Sequence, residues 1–225
     1  MIHVIILSQQ HRSRLLQQII DALNSQTVKP DKITVVFQGY KKALNSEIDL
    51  RTIYLERNLG SIIRFKYAMS NATNITLDDD MIPAQNYIEC LKGFIDRKPD
   101  SIGSLWGYKV KGKGSYIETF ESIPCWDELE DDSRVLMVGA GLMVWNEGYH
   151  NLRAVRFDLA LFCDMQLALH CAHNDIKLFA AAHKGNEVTH IGDNDIQENA
   201  IWKQSMEDIE FLDESTYYLL KSFEK

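Results

Sequence analysis

Short apolar runs alternate with segments of helical periodicity through the first half of the chain, and this alternation restricts the fold more than any other feature. Residues 4–7 and 33–37 are apolar and rich in β-branched side chains, which is typical of strands buried on both faces. Between them, apolar residues recur at helical spacing, at Leu15, Leu16, Ile19, Ile20 and Leu23. Strand, helix and strand in this order predict an α/β fold with a mostly parallel central sheet flanked by helices.

The pattern continues along the chain with further predicted elements. We expect a weaker strand at residues 51–55, a helix over 61–69 and a strand at 75–77. A helix follows Pro83, and the second half adds a helix at 162–171 and a strand at 176–180. With 225 residues and neither a repeat nor a linker, the sequence predicts one domain with two lobes.

Charge, apolar runs and cysteine spacing exclude several classes of protein. The formal charge is −8, from 24 basic and 32 acidic residues, which argues against a protein that tracks nucleic-acid phosphates. No stretch approaches the roughly twenty apolar residues that span a bilayer. The four cysteines show no CxxC spacing. We therefore expect reduced thiols, a cytoplasmic location and no transmembrane segment.

Three consecutive aspartates, Asp78, Asp79 and Asp80, follow the strand predicted at residues 75–77. Alternate residues of an extended chain point to the same side, so Asp78 and Asp80 are expected to converge while Asp79 points away. Two converging carboxylates repel unless a cation lies between them, and oxygen ligands favour Mg²⁺ or Mn²⁺ completed by substrate phosphates. Ligands of open α/β sheets bind beyond the carboxyl ends of the strands. The triplet therefore predicts a metal and phosphate site, against the simpler interpretation of an acidic turn that caps the next helix.

Four segments, residues 15–33, 56–60, 75–83 and 157–169, together resemble the GT-A glycosyltransferases, in particular the large inverting family 2. Residues 75–83 (Ile-Thr-Leu-Asp-Asp-Asp-Met-Ile-Pro) resemble the DxD segment of those enzymes. Residues 15–33, with Leu-Asn-Ser-Gln-Thr at 23–27, resemble their first helix and its ending. Residues 56–60 (Glu-Arg-Asn-Leu-Gly) resemble their N-x-G element. Residues 157–169 resemble the segment that carries the catalytic base.

The resemblance implies the GT-A fold, with residues 1–80 as a nucleotide-binding lobe, 81–190 as an acceptor lobe and 191–225 as a C-terminal loop and helix. It implies a nucleotide-diphosphate sugar as donor, a glycan or other hydroxyl as acceptor, Mn²⁺ or Mg²⁺ as cofactor, and no nucleic-acid partner. The side chains implied to hold the metal are Asp80 and Asp78, and the catalytic base is Asp164. Those implied to contact the donor are Ser8, Gln38, Asn58, Arg64, Asp78 and Asp79.

Several of these roles have competing interpretations. Asp164 suits the N-cap of the following helix as well as it suits a base. Arg64 lies one turn beyond Gly60, where it is expected to reach the donor phosphates or to be an exposed helix residue. A further metal or phosphate ligand is expected at His183 or His190, and the polar loop that begins at His190 favours the latter. Gly139-Ala140-Gly141 predicts either a close approach to the sugar or a tight bend.

Two departures from the family pattern affect the donor site and the base. The second strand is followed by Gln38 where family members commonly have Asp, which leaves the identity of the nucleobase open, because an amide both donates and accepts. Cys163 precedes Asp164 where the family commonly has Glu.

The predicted function is metal-dependent transfer of a sugar from a nucleotide-sugar donor to a hydroxyl, with inversion. The triplet, Asn58 and Arg64 also resemble the exostosin-like retaining transferases, which is one alternative. The other is a non-catalytic protein that binds nucleotide sugars or glycans on the same fold.

Overall fold

The structure, a computed structural model, describes residues 1–112, 115–155, 163–191 and 209–223. Its strands are β1 (Ile2–Gln9), β2 (Lys32–Gln38), β3 (Asp49–Leu55), β4 (Thr73–Asp78), β5 (Met81–Pro83), β6 (Ser101–Ser104), β7 (Gly107–Val110), β8 (Phe120–Ile123), β9 (Ser133–Val135), β10 (Met137–Val138), β11 (Met143–Asn146), β12 (Lys177–Ala180) and β13 (Val188–His190). Its α-helices are α1 (Leu16–Asn24), α2 (Tyr87–Arg97), α3 (Tyr116–Thr119), α4 (Cys163–His173) and α5 (Ile209–Phe223). Short 3₁₀ helices cover Gln10–Leu15, Ser61–Tyr67, Ala140–Leu142 and Leu152–Ala154.

An eight-stranded sheet in the order β3-β2-β1-β4-β11-β6-β12-β9 forms the centre of the molecule. Strands β3, β2, β1 and β4 are all parallel, as the alternation of strands and helices predicts. The other half is mixed, because β11 runs antiparallel to both β4 and β6. Strands β6 and β12 pair in parallel, whereas β9 runs antiparallel to β12. The sheet is therefore wholly parallel in its first half and mixed in its second, and the mixed α/β class is confirmed.

Both faces of the sheet are covered by apolar clusters, as the packing of strand β1 illustrates. Its side chains alternate between the faces, so Val4 and Ile6 join one apolar cluster with α1 and α2. Ile5 between them joins a second cluster with Phe65, Trp145 and residues of α4. A strand between two apolar layers must be apolar at every position, which explains its continuous hydrophobic run.

One predicted helix differs from the structure. Residues 61–69 were expected to form an α-helix, but the segment is the 3₁₀ helix Ser61–Tyr67. The Nε of Arg64 donates to the carbonyl oxygen of Ser61 at 2.9 Å, an oxygen that the backbone of an α-helix would use. The remaining predicted elements are confirmed, and their ends agree to within four residues wherever those ends are described. Residues 157–162 of the segment that resembles the base-bearing region lie outside the described residues.

The strand order reverses between β1 and β4, and a ligand crevice is expected at the carboxyl edge of the sheet there. Successive strands add to one side of β1 up to β3, and β4 then lies on the other side of β1. Ligands of open α/β sheets bind where the order reverses in this way. Near this edge, β13 pairs with β5 and brings His190 opposite Met81. None of the described helices combines the length and apolarity needed to cross a membrane.

Candidate active site

Asp79 and Asp80 share one arginine at the carboxyl edge between β1 and β4. The Nη1 of Arg12 lies 3.0 Å from Oδ1 of Asp79 and 3.1 Å from Oδ2 of Asp80. Asp79 also accepts the backbone N–H of Gln9 at 2.9 Å and is almost fully buried. His190 completes the group, with its Nε2 3.6 Å from Oδ2 of Asp80. We call Arg12, Asp79, Asp80 and His190 the Arg12 cluster.

Burial raises the pKa of both carboxyl groups in this cluster. The pKa of Asp80 rises to about 6 because of burial and the nearby charge of Asp78, while Arg12 opposes the rise. Burial also raises the pKa of Asp79, against the opposing effects of Arg12 and the N–H of Gln9. The cluster holds more acid than one guanidinium balances, which favours a second cation.

Asp78 is the last residue of β4 and pairs with a different arginine. Its Oδ1 accepts from Nη2 of Arg64 at 2.9 Å. Arg64 is buried and also donates from Nη1 to the carbonyl oxygen of Ala140 at 3.0 Å. The N–H of Ala140 in turn donates to Oδ1 of Asp164 at 3.0 Å. We call Arg64, Asp78, Ala140 and Asp164 the Arg64 cluster.

The glycines around Ala140 make this approach possible. A Cβ on Gly141 would lie 1.8 Å from Oδ2 of Asp78, and one on Gly139 would lie 3.0 Å from the Cβ of Trp106. Real Cβ atoms do not approach other atoms as closely as 1.8 Å, so only glycine permits Asp78 to pack on this turn at residue 141. The predicted tight bend is therefore present, and it approaches the acidic triplet.

Asp164 lies in the first turn of α4, so it is not the N-cap of that helix. Its carboxylate accepts the N–H of Ala140 on the opposite segment, and among the described residues it makes no bond to its own helix, which argues against the capping interpretation. Burial raises the pKa of Asp164 to about 6, and the N–H of Ala140 and the charge of Arg64 oppose that rise. A carboxyl group with this pKa takes and releases a proton near neutral pH.

The side chains predicted to contact the donor line the same edge of the sheet. Gln38 ends β2 and accepts the N–H of Leu59 at 2.7 Å through Oε1. Asn58 is exposed, and its Oδ1 accepts the N–H of Gly60 at 2.8 Å. Ser8 is buried near the end of β1, where its hydroxyl is hydrogen-bonded to that of Tyr40. Their roles in donor binding stay predictions.

The two histidines that the sequence left open occupy different surroundings. His183 is buried, and its ring nitrogens face the carbonyl oxygens of Ala181 at 2.7 Å and Pro124 at 3.4 Å. His190 lies beside Asp80, and the next residue, Ile191, donates its N–H to the carbonyl oxygen of Asp80 at 2.8 Å. His183 therefore contacts backbone carbonyl oxygens, whereas His190 lies in the Arg12 cluster. The loop predicted to close over the donor, residues 192–195, lies outside the described residues.

A divalent cation fits the pair of Asp80 and His190. Their ligand atoms lie 3.6 Å apart, and both a carboxylate oxygen and an imidazole nitrogen bind divalent metals. Within the described ranges, no three His, Cys, Asp or Glu side chains form a group able to hold a metal. Cations such as Mg²⁺ bind through one or two protein ligands when substrate phosphates complete the shell, so two ligands are sufficient.

Sequence reasoning missed Arg12. It lies in the 3₁₀ helix Gln10–Leu15, directly after β1, within the run Gln-Gln-His-Arg-Ser-Arg. The sequence did contain a signal for this contact. Two arginines follow β1, and three aspartates stand at the end of its neighbour β4. The parallel pairing of those two strands brings both loops to the same edge.

Comparisons with known proteins identify the fold. No protein-family profile matches the sequence, and no curated protein matches it. Solved structures do. GalNAc-T7, solved with UDP, GalNAc and Mn²⁺, is 12% identical with a TM-score of 0.58, over 80% of this chain and 42% of that one. TarS residues 1–349 from S. aureus, in complex with UDP-GlcNAc, is 14% identical with a TM-score of 0.58, over 88% of this chain and 61% of that one.

The chain thus spans roughly half the length of the structures that it matches. Both of them are glycosyltransferases of the GT-A type. At this level of identity the likeness concerns the backbone, and it agrees with the strand order and with the crevice between β1 and β4. The chain therefore has the GT-A glycosyltransferase fold.

Proposed function

We propose that the protein transfers a sugar from a nucleoside-diphosphate sugar to an acceptor hydroxyl, with a divalent metal and with inversion at the anomeric carbon. One observation carries the proposal: Asp80 and His190 lie together at the carboxyl-edge crevice of a GT-A fold, with Asp164 joined to the same crevice through Ala140 and Arg64. The neighbours solved with UDP or UDP-GlcNAc support this class of donor.

Asp80 and His190 would hold the metal, with Asp78 as a further ligand or a contact to the donor. The metal, when bound, stabilises the negative charge that builds up on the departing diphosphate. Arg64 would add a fixed positive charge beside the same phosphates, because its guanidinium is already held by Asp78 and by the carbonyl oxygen of Ala140. Asp79 would act indirectly, since its carboxylate holds Arg12 and the N–H of Gln9.

Asp164 would accept the proton of the acceptor hydroxyl. As the acceptor oxygen bonds to the anomeric carbon, the bond from that carbon to the diphosphate oxygen breaks, and the proton moves to Oδ2 of Asp164. Oδ1 of Asp164 is held by the N–H of Ala140, which orients the carboxylate. Attack from the face opposite the leaving group inverts the configuration.

The test is metal-dependent binding and turnover of nucleotide sugars. Calorimetry should show that UDP binds at least tenfold more tightly with Mn²⁺ than with EDTA, and that Asp80→Ala removes this difference. Asp131→Ala, in the exposed acidic run, is the matched control and should keep it. Hydrolysis of a panel of UDP-, GDP-, CMP- and dTDP-sugars then identifies the donor. Equal affinity with Mn²⁺ and with EDTA would reject the metal site, and a product of retained configuration would reject the inverting mechanism.

A further inference from the structure

Gln38 carries a hydrogen-bond donor that its surroundings do not use. It ends β2, in register with Gln9 of β1 and Leu55 of β3, at the carboxyl edge of the sheet. Its side chain is buried, and its Nε2 has no hydrogen-bond partner among the residues that the structure describes. An unpaired buried donor costs roughly 1–3 kcal/mol, so a donor left in this state needs an explanation.

The orientation of the Gln38 amide is determined by its neighbour. The backbone N–H of Leu59 lies 2.7 Å from Oε1 and can only donate. If the amide were flipped, two donors would face each other, so the oxygen must point to Leu59. Nε2 and its two hydrogens therefore remain for a ligand. Whatever atom of the ligand meets Nε2 must be an acceptor.

We propose that Gln38 selects the nucleobase of the donor by donating to an exocyclic carbonyl oxygen, at position 4 of a pyrimidine or position 6 of a purine. This inference rests on the proposed function. Gln38 lies opposite Gln9, whose N–H bonds to Asp79, so it is one strand away from the acidic triplet. If the ribose and diphosphate lie at Asp78 and Asp80, the base would extend towards Gln38 and present to it the edge that lies farthest from the sugar. The group at position 4 or 6 is the exocyclic atom on that edge.

The inference separates bases that are otherwise alike. Uracil and guanine present a carbonyl oxygen at this position, whereas cytosine and adenine present an amino group. An amino group would set donor against donor at Nε2 of Gln38, in a place where water is excluded. The carboxylate that family members commonly have at this position would accept a hydrogen bond from the base. The amide Nε2 of Gln38 donates one instead, so the direction of the hydrogen bond is reversed.

The experiment measures the affinity of UDP, CDP, GDP and ADP by calorimetry with Mn²⁺ present. In the wild-type protein we expect UDP to bind about tenfold or more tightly than CDP, and GDP more tightly than ADP. Gln38→Leu should weaken UDP and make it equal to CDP. Gln38→Glu keeps an oxygen for the N–H of Leu59 and replaces the donor with an acceptor, so it should favour CDP over UDP. Gln85→Leu, on an exposed side chain, should change nothing.

The outcomes distinguish the two levels of the proposal. If neither these four nucleotides nor dTDP binds the wild-type protein, the proposed function fails and this inference fails with it. If nucleotides bind but UDP and CDP are equal, or if Gln38→Leu keeps the wild-type preference, only the role of Gln38 is overturned. Should Gln38→Leu fail to fold, as a melting curve would reveal, the order of UDP and CDP in Gln38→Glu decides the question.

Discussion

The Arg12 cluster and the Arg64 cluster are both built on ion pairs between arginine and aspartate, but the two arginines have different surroundings. In the Arg64 cluster the guanidinium is buried and bonds to one carboxylate and to the carbonyl oxygens of Ser61 and Ala140. In the Arg12 cluster a partly exposed guanidinium is shared between two carboxylates, beside His190. The first arrangement fixes a turn, whereas the second leaves acidic charge for another cation. The partners of an arginine decide its role, and its charge alone does not.

The largest expected effect concerns Asp164 of the Arg64 cluster. Asp164→Asn keeps an oxygen for the N–H of Ala140 but cannot take a proton, so turnover should fall by about 10² to 10⁴-fold. Donor affinity should hardly change, and the melting temperature should not fall. Asp175→Asn is the control, because Asp175 has positive φ and Asn tolerates that conformation. Retention of most activity in Asp164→Asn would show that the cluster is structural only.

The next largest effect concerns the negative charge of Asp79 and Asp80, which Arg12 balances only in part. Arg12→Ala leaves buried Asp79 with only the N–H of Gln9 among the contacts named above, so the free energy of unfolding should fall by about 3 kcal/mol. Arg57→Ala, on an exposed side chain after β3, should change it by less than about 0.5 kcal/mol.

The effect of Mn²⁺ on the melting temperature of Arg12→Ala tests the same carboxylates. With Arg12 removed, Asp79 and Asp80 lack their guanidinium, and Mn²⁺ should raise the melting temperature of Arg12→Ala more than that of the wild-type protein. An equal rise in both proteins would mean that Arg12 and the metal do not act on the same carboxylates.

A smaller effect is expected at the turn that packs on Asp78 in the Arg64 cluster. Gly141→Ala introduces a Cβ where Oδ2 of Asp78 lies, so Asp78 must leave Arg64 or the turn must shift, at a cost of about 1–3 kcal/mol in unfolding free energy. UDP affinity should fall with it. Gly93→Ala in α2 is the control, since its Cβ would meet only the end of the Arg97 side chain at 3.3 Å, and it should be neutral or stabilising. If Gly141→Ala bound UDP as tightly as the wild-type protein does, the turn at residue 141 would have no role in donor binding.

The smallest effect is the pH dependence of Asp164. The charged groups that act on it are Arg64 and Asp78. With a pKa of about 6, the base is lost below that pH, so turnover should fall about tenfold per unit on the acidic side.

The effect on stability has the opposite sign. The native pKa of Asp164 lies above its ordinary value of 3.8, so the native state binds the proton more tightly than the unfolded state does. The contribution of this group to stability therefore grows as the pH falls from above 6 towards 4. Asp164→Asn should flatten that part of the stability profile relative to the wild-type protein. Parallel profiles for the two proteins would contradict the raised pKa.

Much of the donor half could be predicted from the sequence. The apolar run at residues 33–37 and the helical spacing from Leu15 to Leu23 depend on local periodicity, and both elements are present as β2 and α1. The second half was harder to predict. The apolar stretch at 135–144 becomes parts of three strands and a 3₁₀ helix, because its glycines allow turns where periodicity alone suggests continuity. The division into lobes at residues 80 and 190 stays a prediction.

The sequence by itself determined which segments are strands and that an acidic triplet ends one of them at the carboxyl edge. Only the tertiary structure decided which charges meet there. Arg12 reaches Asp79 across 67 residues, and Arg64 reaches Ala140 across 76, through the order and register of the strands. Periodicity along a chain records which face of an element is buried. It does not record which loop lies beside which at the sheet edge, and that placement assigned Asp164 to Ala140 and His190 to Asp80.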